Sequence, residues 1–268
     1  MTMADTSTVI SELVDISTPQ GLIDAQWFHP AGEGSWPGVI LFTDIRGVRP
    51  AFEAIARRLA GHGYAVLLPN VYYRGGRAPV VDPALPMTDE GARAKRSALR
   101  AALTPDAVRA DVAALLTFLS DNPHVSGQGV GVVGYCMSGS FALRAAADFP
   151  ERVSAAASFH GGGLASETAD SPHLGAASIK ARLYFGHADA DASASPEIIA
   201  RLEEALSQAG IRFRSELYAG ARHGFAVSDG QAYNVDAAER HWTNLLALFD
   251  TELRHGQSPG AAKLGDVQ

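Results

Sequence analysis

Short, unbroken apolar runs alternate with segments of helical period along most of this 268-residue chain, and that alternation constrains the fold most. Gly38–Thr43, Tyr64–Leu68, Gly129–Tyr135, Val153–Phe159, Ala181–Phe185 and Arg212–Tyr218 have strand length. The run Gly38–Thr43 is continuously apolar, the pattern of a strand buried on both faces of a parallel sheet. Between the strands, Ala51–Gly61 sets Phe52, Ile55 and Leu59 at helical spacing. Thr104-Pro105 reads as an N-cap followed by Pro at the first helical position, and Val108, Val112, Leu115, Leu116 and Leu119 then share one face to about Ser120. Further helices are expected from the turn at Cys136 through Ala147, over Pro196–Ala209 and over Gln231–Leu253. Repeated strand–helix–strand units predict one α/β layer structure, a doubly wound, mostly parallel sheet with helices on both faces. Val9–Ile16 and Leu22–Phe28, separated by Ser17–Gly21, predict an opening hairpin.

Residues 1–254 read as a single domain, and the Gly/Ala/Ser/Pro-rich end at 255–268 as a disordered tail. Residues 70–103 form a long connection, expected to act as a lid or a binding segment. Its helical part, Asp89–Leu103, carries Arg93, Lys95, Arg96 and Arg100, which read as the charges of a solvated face. No apolar run approaches the ~18–20 residues of a membrane helix. Met1–Asp15 holds three acids and no base, which does not make a secretory signal. The net charge of −7 argues against a nucleic-acid partner. A cytoplasmic protein is expected, a monomer or weak homo-oligomer that meets a small molecule rather than nucleic acid or membrane. Its single cysteine, Cys136, excludes an intrachain disulfide framework and a Cys-rich metal module.

Ligands of open parallel sheets bind at the carboxyl ends of the strands. Gly134-Tyr135-Cys136-Met137-Ser138-Gly139 joins a strand to a helix through a tight turn there. Small residues around Cys136 allow the strained backbone of a nucleophile elbow, with Cys in place of the usual Ser. A thiol at a helix N-terminus is favoured as the nucleophilic thiolate. His223 lies in the loop between the strand Arg212–Tyr218 and the last helix, placed to be the general base. Asp189 follows the strand Ala181–Phe185 and is the expected carboxylate partner, with Asp191 its competitor. Nucleophile, Asp and His follow in the chain order of the α/β-hydrolase fold. The N–H groups of Met137 and Ile45 are the expected oxyanion donors.

Gly-Tyr-Cys-x-x-Gly at the elbow, Asp-Ile-x-Gly-Val-x-Pro from Asp44, Pro-Asn-Val-Tyr-Tyr-Arg from Pro69 and Arg-His-Gly-Phe from Arg222 resemble the dienelactone hydrolase family, from about residue 20 to 253. The resemblance implies an α/β-hydrolase with a Cys–His–Asp triad that opens an unsaturated lactone to maleylacetate. It also implies a thiol-gating carboxylate at position 44, where the family's Glu is replaced by Asp44. The family arginine four residues after the catalytic His is Val227 here, and an aromatic after the early-loop Ile is Arg46. Arg46, with Arg222 or an arginine of the 74–100 segment, is expected to supply the missing positive charge. Tyr135, His160 and Phe225 complete the expected substrate contacts.

The reaction expected from these residues is ester or lactone hydrolysis through a Cys136 thioester, with no cofactor and no metal. A non-catalytic binding or redox-responsive protein on the same scaffold, or an acyltransferase, stands beside it.

Overall fold

The computed structural model describes residues 8–254, so the expected tail at 255–268 lies outside the described residues. Eight strands form one sheet in the order β1-β2-β4-β3-β5-β6-β7-β8. The strands are β1 Val9–Thr18, β2 Gly21–Pro30, β3 Trp36–Phe42, β4 Ala65–Pro69, β5 Val125–Tyr135, β6 Val153–Phe159, β7 Arg182–Ala188 and β8 Phe213–Tyr218. β1 and β2 form the antiparallel hairpin and β2 meets β4 antiparallel, while every pairing from β4 to β8 is parallel.

The unbroken apolar runs are explained by two cores, one on each face. Alternate residues of β3 point to opposite sides: Val39 and Leu41 to one core, Ile40 and Phe42 to the other. Helices α1 (Pro50–Gly61) and α6 (Val235–Phe249) cover the first face through Phe52, Ile55, Leu59, Leu245 and Phe249. Helices α3 (Pro105–Asp121), α4 (Gly139–Asp148) and α5 (Pro196–Gln208) cover the second, with Val112, Leu115, Leu143, Leu202 and Leu206. Strands covered on both faces need apolar side chains at every position.

Local chemistry sets the helix ends. Thr104 Oγ1 accepts the Ala107 N–H at 3.2 Å at the start of α3, and Asp89 accepts the Ala92 N–H at 2.7 Å at the start of α2 (Glu90–Ala101). Each such cap is worth about 1 kcal/mol. The last helix begins four residues later than the apolar pattern suggests. Asn234 caps it by accepting from Ala237, which leaves Gln231–Tyr233 in a turn. β7 runs three residues past Phe185, because Gly186, His187 and Ala188 still pair with Glu216, Leu217 and Tyr218 of β8.

The sheet order reverses between β4 and β5: after β3 the chain goes to one side for β4 and to the other for β5. The loops leaving β3 and β5 therefore part at a topological switch point, where open sheets form a crevice. Asp44–Arg49 leaves one strand and Cys136 the other.

Candidate active site

Cys136 has φ of +57°, a left-handed conformation rare for a residue with a side chain and costing about 1–3 kcal/mol. The strain lifts the thiol clear of the turn. Its neighbours leave no choice of residue: a Cβ on Gly134 would stand 2.0 Å from the Ser138 carbonyl oxygen, and one on Gly139 would stand 2.8 Å from the Gly161 Cα. Ser138 Oγ locks the turn, accepting from Tyr135 N–H at 2.9 Å and donating to the Tyr135 carbonyl at 3.1 Å. The Gly162 N–H donates to the Cys136 carbonyl at 3.0 Å, tying the elbow to the loop after β6.

The imidazole of His223 stands between the thiol and a carboxylate. Its Nδ1 meets Asp191 Oδ2 at 2.6 Å. Hydrogen bonding to Cys136 is the largest influence on its pKa. Interaction with Cys136 and the contact with Asp191 outweigh burial, and the imidazole is pushed up to about 9. Burial pushes the Asp191 carboxyl up, but hydrogen bonds from His223 and Ser193 prevail and hold it below the ordinary value. Ser193 donates to Asp191 Oδ1 through N–H at 2.9 Å and Oγ–H at 2.7 Å, so Oδ2 remains for His223. The Asp191 side chain is 5% exposed.

Asp189, the carboxylate expected for this role, points elsewhere. Its Oδ2 accepts the Gly220 N–H at 2.8 Å, and its own N–H donates to the Ala221 carbonyl at 2.7 Å. Standing directly on the longer β7, it closes the register with the turn after β8. Ala190, at φ of +50°, then reverses the chain so that Asp191 faces His223. The Asp191-x-Ser193 pair, an Asx-type turn, was the local signal for an oriented carboxylate.

Met137 N–H belongs to the first turn before α4, where the leading amides lack intrahelical acceptors. Across the crevice, Ile45 is held by Tyr72, whose hydroxyl donates to the Ile45 carbonyl at 3.1 Å and lies 3.4 Å from Met137 Sδ. Tyr72 thus bridges the two expected oxyanion residues. Burial, then the negative charges at Asp44 and Cys136, pushes its phenol up. Sequence reasoning missed Tyr72. A cleft of about 210 Å³, lined by Met137, Ser140, Gly162, Arg100 and Arg144, adjoins the elbow.

Asp44 does not turn to the thiol. Oδ1 accepts the Arg46 N–H at 2.8 Å and Arg49 Nη1 at 2.7 Å, and Oδ2 accepts Arg49 Nη2 at 2.8 Å. A guanidinium fork is a stronger partner for a carboxylate than a thiol is. Arg46 faces Asp229 at 3.0 Å and the Pro83 carbonyl, with its Nε buried and unpartnered. Arg96 is not on a solvated face. It is 1% exposed, its Nε and Nη1 have no partner, and Nη2 is 3.5 Å from the Leu85 carbonyl. Ala92, Arg96 and Leu99 repeat at helical spacing on the inner side of α2, and that spacing was the available signal. Both arginines thus lie on the Pro83–Leu85 stretch, and the charge of Arg96 reaches Tyr72.

The other expected substrate contacts sit elsewhere. Tyr135 is fully buried, its hydroxyl 2.7 Å from His241 Nε2 and its ring between Phe52 and Phe159. Phe225 is fully buried and stacks on Tyr218 at 4.7 Å. His160 is fully buried at φ of +39°, edge-on to His223 at 5.2 Å, with both ring nitrogens unpartnered. Burial, then the charge of His223, holds it neutral, well below the ordinary histidine value. Alternation along β5 turns Tyr135 inward, while His160, just past β6, and Phe225, in the loop after β8, are buried from their loops and pack edge-on at 5.2 Å. Arg222 is exposed, with Nη2 3.3 Å from the Gln231 carbonyl. Among the described residues no cluster of His, Cys, Asp or Glu is placed to hold a metal, and no helix is long and apolar enough to cross a membrane.

A sequence profile of the dienelactone hydrolase family matches residues 23–253. The chain is similar to a Synechocystis sp. protein provisionally named a carboxymethylenebutenolidase, 30% identical over 229 residues that cover 84% of this chain and 90% of the relative. It is similar also to a carboxymethylenebutenolidase of Rhodococcus opacus, 29% identical over 236 residues covering 87% and 88% of the two chains. Its fold resembles a crystal structure from Klebsiella pneumoniae provisionally assigned as a dienelactone hydrolase, with a TM-score of 0.79 at 24% identity over 90% of this chain and 98% of that one.

Proposed function

The chain belongs to the dienelactone hydrolase family and is a hydrolase of carboxylic esters or lactones, and from that premise we propose that it opens an activated, carboxylate-bearing lactone or ester through a thioester on Cys136. The observation that carries this reading is the chain of contacts from the strained Cys136 through His223 to Asp191.

The Cys136 thiolate attacks the carbonyl carbon, and the C–O π pair moves onto oxygen. The N–H groups of Met137 and Ile45 receive that oxyanion, a contribution of about 3 kcal/mol per donor. The ring C–O bond breaks as the tetrahedral state collapses, and the His223 cation protonates the departing enolate. The enol then relaxes to its ketone. Water attacks the thioester while His223 takes its proton, and collapse releases the acid and regenerates the thiolate. A thiolate is itself a good leaving group, so the reaction favours an enol ester over an amide.

Arg46 and Arg96 support the carboxylate part of the reading. A guanidinium does not deprotonate, so buried N–H donors without partners call for an anion. The curated relatives named carboxymethylenebutenolidase act on a lactone of this kind.

The test compares the wild type, Cys136→Ala and His223→Ala on dienelactone and on neutral aryl acetates, with mass spectrometry of the acylated enzyme. Turnover by the wild type, an acyl adduct on Cys136 and loss of turnover in both variants are expected. Turnover that survives both substitutions would overturn the assignment.

A further inference from the structure

Arg49 has the most complete set of contacts of any charged side chain near the crevice, yet it is 3% exposed and touches neither the thiol nor the triad. It uses all five of its N–H donors. Nε donates to Asp229 Oδ2 at 2.7 Å, and Nη2 to Asp229 Oδ1 at 3.1 Å. Nη1 and Nη2 donate to the two oxygens of Asp44, and Nη1 donates also to the Gly47 carbonyl at 3.1 Å. Its guanidinium lies over the Phe52 ring at 5.0 Å from the centroid.

The two carboxylates belong to different loops, and Asp229 stands 180 residues from Arg49 in sequence. Asp44 precedes Ile45, the oxyanion donor after β3. Asp229 lies six residues after His223, in the loop after β8. One planar cation therefore joins the strand-end loop that receives the oxyanion to the loop that carries the base. Burial alone would lower the Arg49 pKa, but both carboxylates raise it. Burial pushes the Asp229 carboxyl up, while Arg49 and then Arg46 hold it below its ordinary value.

We propose that Arg49 is a positioning residue for the hydrolysis: through Asp44 and Asp229 it fixes the Ile45 N–H relative to His223 and Cys136. This inference rests on the thioester reading above. Catalytic geometry is unforgiving at this point, since a displacement of about 1 Å costs on the order of 100-fold in rate. A lysine in its place offers three donors from one point and no planar fork, so it cannot hold both carboxylates bidentately.

The experiment separates two reactions of the same thiol. Alkylation of Cys136 by iodoacetamide needs the thiolate but no oxyanion donor, and Cys136 is the only cysteine in the chain. Hydrolysis of a neutral aryl acetate needs both, and avoids any contact between Arg46 and a substrate carboxylate. Both are measured across pH for the wild type, Arg49→Lys and Asp229→Asn. The second variant keeps the buried arginine paired with Asp44, so a folding failure of the first does not end the test.

In each variant kcat is expected to fall about 30-fold with KM within about 3-fold. The alkylation rate and its pH profile are expected to stay within about 2-fold of wild type, since the thiol and His223 keep their contact. Unchanged hydrolysis in both variants would overturn the proposal. So would a parallel loss of alkylation and hydrolysis, which is the mark of a general loosening. Failure of the thioester reading has a separate signature, namely aryl acetate turnover that persists in Cys136→Ala.

Discussion

Two walls of the crevice treat buried charge in opposite ways. On the wall built by the loops after β7 and β8, the acid–base pair is partnered: Ser193 donates to one Asp191 oxygen and His223 meets the other. The imidazole there is pushed up to about 9. Where the loop after β3 meets the 83–100 segment, Arg46 and Arg96 hold buried N–H groups that meet nothing in the protein. Directly under the first wall His160 is also buried without partners, and its outcome differs because an imidazole can shed its proton. A guanidinium cannot. The difference teaches that burial alone does not set charge here. A partner keeps His223 cationic, and lack of one keeps His160 neutral, while Arg96 leaves two buried nitrogens without an acceptor.

The largest effect follows from breaking the partnered wall. Asp191→Asn removes the acceptor that orients His223 and stabilises its cation, and kcat is expected to fall roughly 10²–10⁴-fold. Asp189→Asn is expected to stay within about 3-fold, since that carboxylate serves the Gly220 amide. Steady-state kinetics of the two variants on one ester decide between them, and equal losses would erase the distinction drawn between the two aspartates.

The unpartnered wall is tested by substrate choice. Arg96→Met keeps the length of the buried chain and removes the charge. For a carboxylate-bearing lactone kcat/KM is expected to drop about 10–100-fold, the worth of one or two charge-assisted hydrogen bonds. For a neutral aryl acetate it should change by less than about 3-fold. Arg222→Ala, on the exposed side of the same loop as His223, is expected to leave both within about 2-fold. If Arg222→Ala behaved as Arg96→Met does, the charge would belong to the other wall.

Much of this arrangement was open to a reader of the sequence, and the reasons for the exceptions are physical. Continuous apolar runs and helical spacing are local patterns, and they located the sheet, its two covered faces and the elbow at Cys136. Asp189 does not meet His223 because Gly186-His187-Ala188, a turn by composition, continues β7 against β8. That extension moved the first free carboxylate from Asp189 to Asp191. The charge of Arg96 masks its spacing to Ala92 and Leu99, which is that of a buried face. The Arg49–Asp229 contact spans 180 residues and leaves no local trace. Tyr135 and Phe225 stand within two residues of Cys136 and His223 in sequence, yet alternation along β5 turns the first inward and packing against Tyr218 buries the second.

The layer beneath the first wall predicts a change in stability rather than rate. His241 is fully buried and neutral, lowered by burial to about 3, and its Nε2 meets the Tyr135 hydroxyl at 2.7 Å. His241→Phe leaves that hydroxyl buried without a partner, at a cost of about 1–3 kcal/mol near neutral pH. The same variant should soften the acid limb. Below the ordinary value of 6.5 the unfolded chain takes a proton that the folded protein refuses, so wild-type stability falls from pH 6.5 towards pH 3 through this residue. Denaturant melts of both proteins at pH 7 and pH 5 measure the two effects together. A variant as pH-sensitive as wild type would remove His241 from the acid limb.

The smallest expected effect comes from His223, and its sign is the reverse. Its folded value of about 9 lies above the unfolded 6.5, so the folded protein binds the extra proton. The stability it contributes is complete below pH 6.5 and is lost as pH rises through about 9. Asp191 acts oppositely: with its folded value lowered, its contribution is present above pH 3.8 and lost on acidification. The His223 side chain is 34% exposed, so water screens much of the gain and the change between pH 7 and 9.5 should be modest. The comparison is therefore made by difference, with wild type and His223→Gln melted at pH 6, 7.5 and 9.5. The gap between them is expected to narrow steadily with pH. A gap that widens would mean that the imidazole is not held as a cation, and the contrast between the partnered wall and the neutral layer beneath it would fail.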